Sequence, residues 1–132
     1  MNCRCLTRST LLALWVAMLC GSQIPVRGTE PQPQDKEGIA FFEAKIRPVL
    51  VQHCYKCHSA DAKPLHGSLR LDSRAAMLAG GDSGPVVVPG KPEESLLVSA
   101  LKSETFEMPP ESPLADQVIK DFETWSQRGA PD

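Results

Sequence analysis

Cys54-Tyr55-Lys56-Cys57-His58 sets two thiols three positions apart, with an imidazole directly after the second. This is the C-x-x-C-H pattern of c-type haem attachment. The spacing has a physical reason. Thiols separated by two residues can reach the two vinyl groups of one porphyrin and bind them as thioethers. The adjoining histidine then falls under the iron, where its ring donates to the metal. Three other chemistries use such a pair. A plain disulfide suits an exported chain. A thioredoxin-like redox pair belongs beside a βαβ pattern, which this sequence lacks. A zinc ion needs further ligands, and His58, next to Cys57, is awkwardly placed to share it. Spacing and context favour haem attachment, with Cys54 and Cys57 as the anchors and His58 as an axial iron ligand.

The second axial position has four candidates: Met77, Met108, His53 and His66. Met108 stands 50 residues beyond His58 in Met108-Pro109-Pro110, where the prolines keep the chain extended. An extended strap just before a terminal helix can lay a thioether over the second haem face. Met77 sits in a short apolar helix and reads as core filler. His53, immediately before the motif, belongs to the proximal side. His66 lies in a loop and reads as solvent-facing. Met108 is therefore the preferred partner of His58 at the metal, with His66 or an open position as the alternatives. Arg70 could fork onto a haem propionate, or equally pair with Asp72. Trp125 could offer its indole N–H to a propionate, but it also fits a core stripe.

Around the motif the chain reads as helices joined by long loops. Ile39, Phe42, Ile46, Val49 and Leu50 recur at helical steps, and Pro48 predicts a kink or a restarted helix before His53. Asp72 can cap a short helix over Ser73–Ala79, ended by Gly80-Gly81. Pro92 suits the first turn of another, with Leu96, Leu97, Ala100 and Leu101 inward. Leu114, Val118, Ile119, Phe122 and Trp125 form an apolar stripe over about Pro113–Gln127, expected to pack on Phe42 and Ile46. Ser112-Pro113 is the better start for that helix and Ala115-Asp116 a weaker one. No strand pair, internal repeat or heptad pattern is evident.

Length allows one domain in 132 residues. Residues 1–28 read as a signal peptide: Arg4 and Arg8 form a basic head, and Leu11–Leu19 is an apolar run too short to span a bilayer. A lipoprotein anchor at Cys20 is the weaker reading, because Leu19 is bulky where a small residue is wanted. Residues 29–37 read as a flexible spacer and 38–131 as the folded domain. Loss of the leader leaves 11 basic against 16 acidic residues, a net charge of −5, and only Cys54 and Cys57 as thiols. Such a balance argues against nucleic acid as a partner, and no stable membrane insertion is expected after cleavage. Twelve prolines, nine glycines and few aromatics in so short a chain imply that a large cofactor completes the core.

Several motifs, in order, resemble the planctomycete-type cytochrome c domain. They are Ile46-Arg47-Pro48-Val49-Leu50 leading into Cys54–Ser59, Leu69-Arg70-Leu71-Asp72-Ser73-Arg74, Gly80-Gly81-Asp82-Ser83-Gly84-Pro85, Val88-Pro89-Gly90-Lys91-Pro92, Ser95-Leu96-Leu97, Met108-Pro109-Pro110 and Trp125 with Gly129-Ala130-Pro131. The resemblance covers nearly the whole of Phe41–Pro131. It implies an all-α, class I-like fold of three to five helices around one covalent haem c, with Cys54, Cys57, His58 and Met108 in the haem-binding positions. It also implies an exported, periplasmic protein of a planctomycete-like bacterium. The family pattern often has glycine at Ser68 and a capping serine near Ala115, so the turn and the last helix are expected to shift. Such domains often open longer proteins, so the chain is either a free-standing carrier or the front of something larger.

The reading that follows is a non-enzymatic electron carrier cycling Fe(III)/Fe(II) with a redox partner protein of unknown identity. A haem-based sensor or ligand-binding module with a weak sixth position is the alternative. A haem peroxidase is disfavoured, because no distal acid–base set is evident.

Overall fold

The computed structural model describes residues 33–132, with side chains from Lys36 onward. The leader, Cys20 and the first part of the spacer lie outside the described residues. Five α-helices occur among those described: α1 (Pro33–Phe41), α2 (Arg47–His53), α3 (Arg74–Ala79), α4 (Leu96–Leu101) and α5 (Asp116–Gln127). No strand is formed among them, only an isolated bridge between Gly81 and Gly84. The described architecture is all-α, and none of its helices is long and apolar enough to cross a membrane.

The first helix begins at Pro33, so residues 33–37, expected as spacer, are helical. The discontinuity that Pro48 demands is met ahead of it. Residues Phe42–Ile46 form a π turn, and the Arg47 N–H donates to the Phe42 carbonyl five residues back. The wider turn leaves Pro48 in the first turn of α2, where its missing N–H costs little. Helix α2 then delivers the chain to Cys54, whose N–H bonds the Leu50 carbonyl at 2.9 Å.

Two helix starts differ from expectation. Ser73, not Asp72, caps α3: its hydroxyl accepts from the Ala76 N–H. Asp72 is engaged elsewhere. Helix α5 starts at Asp116 behind Ala115, three residues later than Pro113. Ala115 has no side-chain acceptor, but its carbonyl receives the Val118 and Ile119 amides, and Asp116 places negative charge at the helix N-terminus.

The core joins the π turn to the last helix. Phe42 stacks on Trp125 with ring centroids 5.6 Å apart, and Phe122 meets Trp125 edge-on. Ile46, Leu50, Leu71, Met77, Val86, Val87, Leu97 and Leu101 are buried with them. Met77 thus fills core, as its place in an apolar helix suggested. Ser95 and Ser126 are buried together, hydroxyl to hydroxyl at 3.0 Å, and Ser95 also receives the Val88 N–H. The tail is stitched in. Arg74 donates to the Ala130 and Gly129 carbonyls. Gly38 on α1 leaves room for the Pro131 ring, since a Cβ there would come within 2.5 Å of its Cγ.

Candidate haem site

Local hydrogen bonds shape the motif. The Cys57 and His58 amides both bond the Cys54 carbonyl, wrapping Cys54–His58 into a tight turn directly after α2. The chain beyond then folds back on it. His66 N–H donates to the Cys57 carbonyl at 3.2 Å and Leu71 N–H to the His58 carbonyl at 2.8 Å. Next, the Gly81–Gly84 turn packs on this loop, with Asp82 N–H on the Gly67 carbonyl at 2.9 Å. Gly81 permits that approach, because a Cβ there would strike the Gly67 carbonyl oxygen and Leu69.

These segments and α4 enclose a cavity of about 330 Å³. Cys54, Cys57, His58 and Met108 all line it. The rest of its wall is mostly apolar, with Leu69, Leu71, Val86, Leu97, Leu101 and Phe106 prominent. Both thiols are free and half-buried. Burial, aided by neighbouring Cys57, pushes the Cys54 thiol up to about 11, so it stays protonated at neutral pH. Burial lowers the His58 pKa against the raising pull of the nearby Leu69 and His66 backbone. The imidazole is thereby kept neutral, the form that donates to a metal. Its Nδ1 atom is buried and makes no hydrogen bond of acceptable geometry.

These residues fit a haem. An apolar slot suits the porphyrin faces, two reduced thiols stand ready for its edge, and a neutral imidazole adjoins them. The buried Nδ1 lies near the Leu69 and His66 backbone, the kind of outer partner that orients a ligating imidazole.

Residues 54–112 match the family model described as Planctomycete cytochrome C. The chain carries a planctomycete-type cytochrome c domain. No curated protein and no solved structure matches it. Cytochrome c domains of this kind bind haem and carry electrons, and the matched span holds Cys54, Cys57, His58 and Met108.

Of the six residues assigned to haem binding in the sequence, the cytochrome domain brings Cys54, Cys57, His58 and Met108 together and leaves Arg70 and Trp125 aside. Arg70 is not in the cavity wall; its guanidinium pairs with the Asp72 carboxylate at 3.2 Å. Trp125 is also absent from the wall. Its indole donates to the Pro131 carbonyl at 2.7 Å and its ring is buried in the core stripe, so its N–H is spent within the fold. His53 and His66 do line the cavity. The amide of His66 is tied to the Cys57 carbonyl, which keeps its backbone beside the motif.

Sequence reading missed Phe106, Asp82 and Gly81 as parts of the cavity wall. The adjacent Met108-Pro109-Pro110 strap was a signal for Phe106. For Asp82 and Gly81 the Gly-Gly-Asp-Ser-Gly turn was visible, but nothing in it indicates which loop it packs on.

Proposed function

We propose that this is an exported monohaem cytochrome c domain of class I-like fold, transferring electrons by Fe(III)/Fe(II) cycling. Cys54 and Cys57 hold haem c covalently, and His58 and Met108 are the axial ligands. The observation that carries this reading is that one apolar cavity is lined at once by both thiols, the adjoining imidazole and the thioether of a strap 50 residues further on. The bound group supplies the one-electron couple, and Met/His ligation raises its potential relative to bis-histidine. The protein holds the group by its edge, excludes water from its faces and keeps His58 neutral. Two strong axial ligands leave little to rearrange on electron transfer. The acidic excess of the mature chain favours a partner with basic patches, and periplasmic export supplies the compartment where such domains are assembled.

A second reading, a ligand-binding or sensing module, draws on a specific observation. Met108 remains partly exposed and its N–H reaches the Ala100 carbonyl only at 3.4 Å, so the strap is loosely held. Spectroscopy separates the two. The carrier shows a low-spin reduced spectrum, a Met-to-iron charge-transfer band when oxidised and slow carbon monoxide binding, which Met108→Ala makes fast. Rapid binding by the native protein, unchanged in Met108→Ala, would sink the Met108 assignment. Acidified acetone should leave haem on the chain unless Cys54 and Cys57 are both replaced.

A further inference from the structure

Asp72 has no place in the haem-binding set, and the sequence cast it as a helix cap, a task that Ser73 performs. Its carboxylate instead reaches back 12 residues and accepts the Ala60 N–H at 2.6 Å. Arg70 holds the same carboxylate through Nε on Oδ1 at 3.2 Å and a terminal nitrogen at 3.3 Å on Oδ2, the oxygen that also takes the Ala60 amide. The side chain is only 18% exposed. Burial pushes this carboxyl up, but the Ala60 amide and the Arg70 guanidinium outweigh it, and the group lies below the usual carboxylate range.

What this clamp closes is the loop that forms one wall of the cavity. Between Ala60 and Asp72 lie His66, Gly67, Leu69 and Leu71, all lining it. The same loop bonds the Cys57 and His58 carbonyls through the His66 and Leu71 amides. It also brings the Leu69 and His66 backbone close enough to raise the proton affinity of His58. The surroundings of the His58 ring on its buried side are therefore set by a loop whose two ends are fastened by one carboxylate.

We propose that Asp72 is a positioning residue for the axial histidine: by clamping Ala60 to Arg70 it fixes the backbone that surrounds the His58 ring. This rests on His58 being an iron ligand. The outer partners of a ligating imidazole orient its ring and set how strongly it donates to the metal. A loosened loop leaves the ring less well oriented and a poorer donor, and a poorer donor favours the ferrous form.

The test uses the haem-loaded protein and begins with the native chain. If that chain holds no covalent haem, or if its hyperfine-shifted NMR resonances show no His58 on iron, the reading beneath the proposal fails on its own. With His58 bound, Asp72→Ala should shift those His58 resonances and raise the midpoint potential. Amide exchange at Ala60 and Leu71 should accelerate roughly 10- to 100-fold, the scale of a lost charge-assisted hydrogen bond. Asp72→Asn keeps an acceptor for Ala60 and should restore most of the His58 signature. Arg74→Gln loosens the tail bonds to Gly129 and Ala130, away from the cavity wall, and serves as the control for lost stability. Unchanged His58 resonances and potential in Asp72→Ala would overturn the proposal, whatever its melting temperature. So would an equal shift in Arg74→Gln.

Discussion

At the scale of single residues, charge and burial decide how this chain responds to acid. Asp72 binds its proton less readily in the folded chain than in the unfolded one. The unfolded state therefore takes up more protons as pH falls, and stability falls with it. The contribution is full above the ordinary carboxylate range and disappears as pH drops through the depressed folded value. Denaturant melts between about pH 5 and about pH 3 should show a steeper loss for the native protein than for Asp72→Asn. Equal slopes would mean that the carboxylate contributes nothing. At this same scale the sequence was legible where the chemistry is local. Cys54, Cys57 and His58 are a single turn of chain, and their closeness follows from spacing alone. Arg70 and Asp72 were seen as possible partners because they are two positions apart. The bond from Asp72 to Ala60 was not, since only the folded loop brings them together. Ser68 shows the limit differently. The resemblance suggested glycine as the usual residue there, and the turn forms with Ser68 itself at φ +51°, next to Gly67 at +61°.

The elements divide between those fixed by pattern and those fixed by packing. The apolar stripe of α5 and its seat on Phe42 and Ile46 were readable because the period is regular and the residues are large. The start of α5 was not, because Ser112-Pro113 offers the better cap, while the structure leaves Pro113-Leu114 outside the helix and begins it behind an extended Ala115. Ala115→Ser supplies the missing acceptor and should stabilise the protein by about 0.5–2 kcal/mol in denaturant melts. No gain would show that the Asp116 charge already satisfies that end. The Gly80–Gly84 turn is stricter. Gly80 has φ +77°, and a Cβ there would collide with the backbone of Gly84. Gly90 has φ +81° with open space around it. Gly80→Ala should therefore cost more than Gly90→Ala, the latter carrying only the left-handed penalty of about 1–2 kcal/mol. Because this turn presents Asp82 to the cavity, Gly80→Ala should also perturb the haem spectrum, whereas Gly90→Ala should not. Similar losses in both would assign no role to the clash.

For the whole molecule, the cavity outweighs any single contact. The cavity of about 330 Å³ is mostly apolar in lining, and without the group that fills it those walls face water. A domain of this size has a net stability on the order of 5–15 kcal/mol. Loss of the group that covers those walls is expected to weaken the fold. Cys54→Ser with Cys57→Ser should accordingly lose the near-UV circular dichroism and NMR dispersion of a packed core while keeping part of its helix signal. A fully native apo-spectrum would mean that the cavity walls collapse onto one another without penalty. The sparse aromatics and abundant prolines noted in the sequence led to the same expectation.

The contact of Gly38 with Pro131 also bears on how the fold could be rewired. Helix α1 begins at Pro33, and five residues of helix span about 8 Å. A linker of a few residues could lead from Asp132 back to that start, since each extended residue covers about 3.3 Å. The polypeptide could then be reopened elsewhere, for instance in the exposed turn after Lys102, giving a circular permutant in which α5 precedes α1. In such a molecule the Met108 strap would come before the haem-binding thiols rather than after them, and would leave the ribosome first.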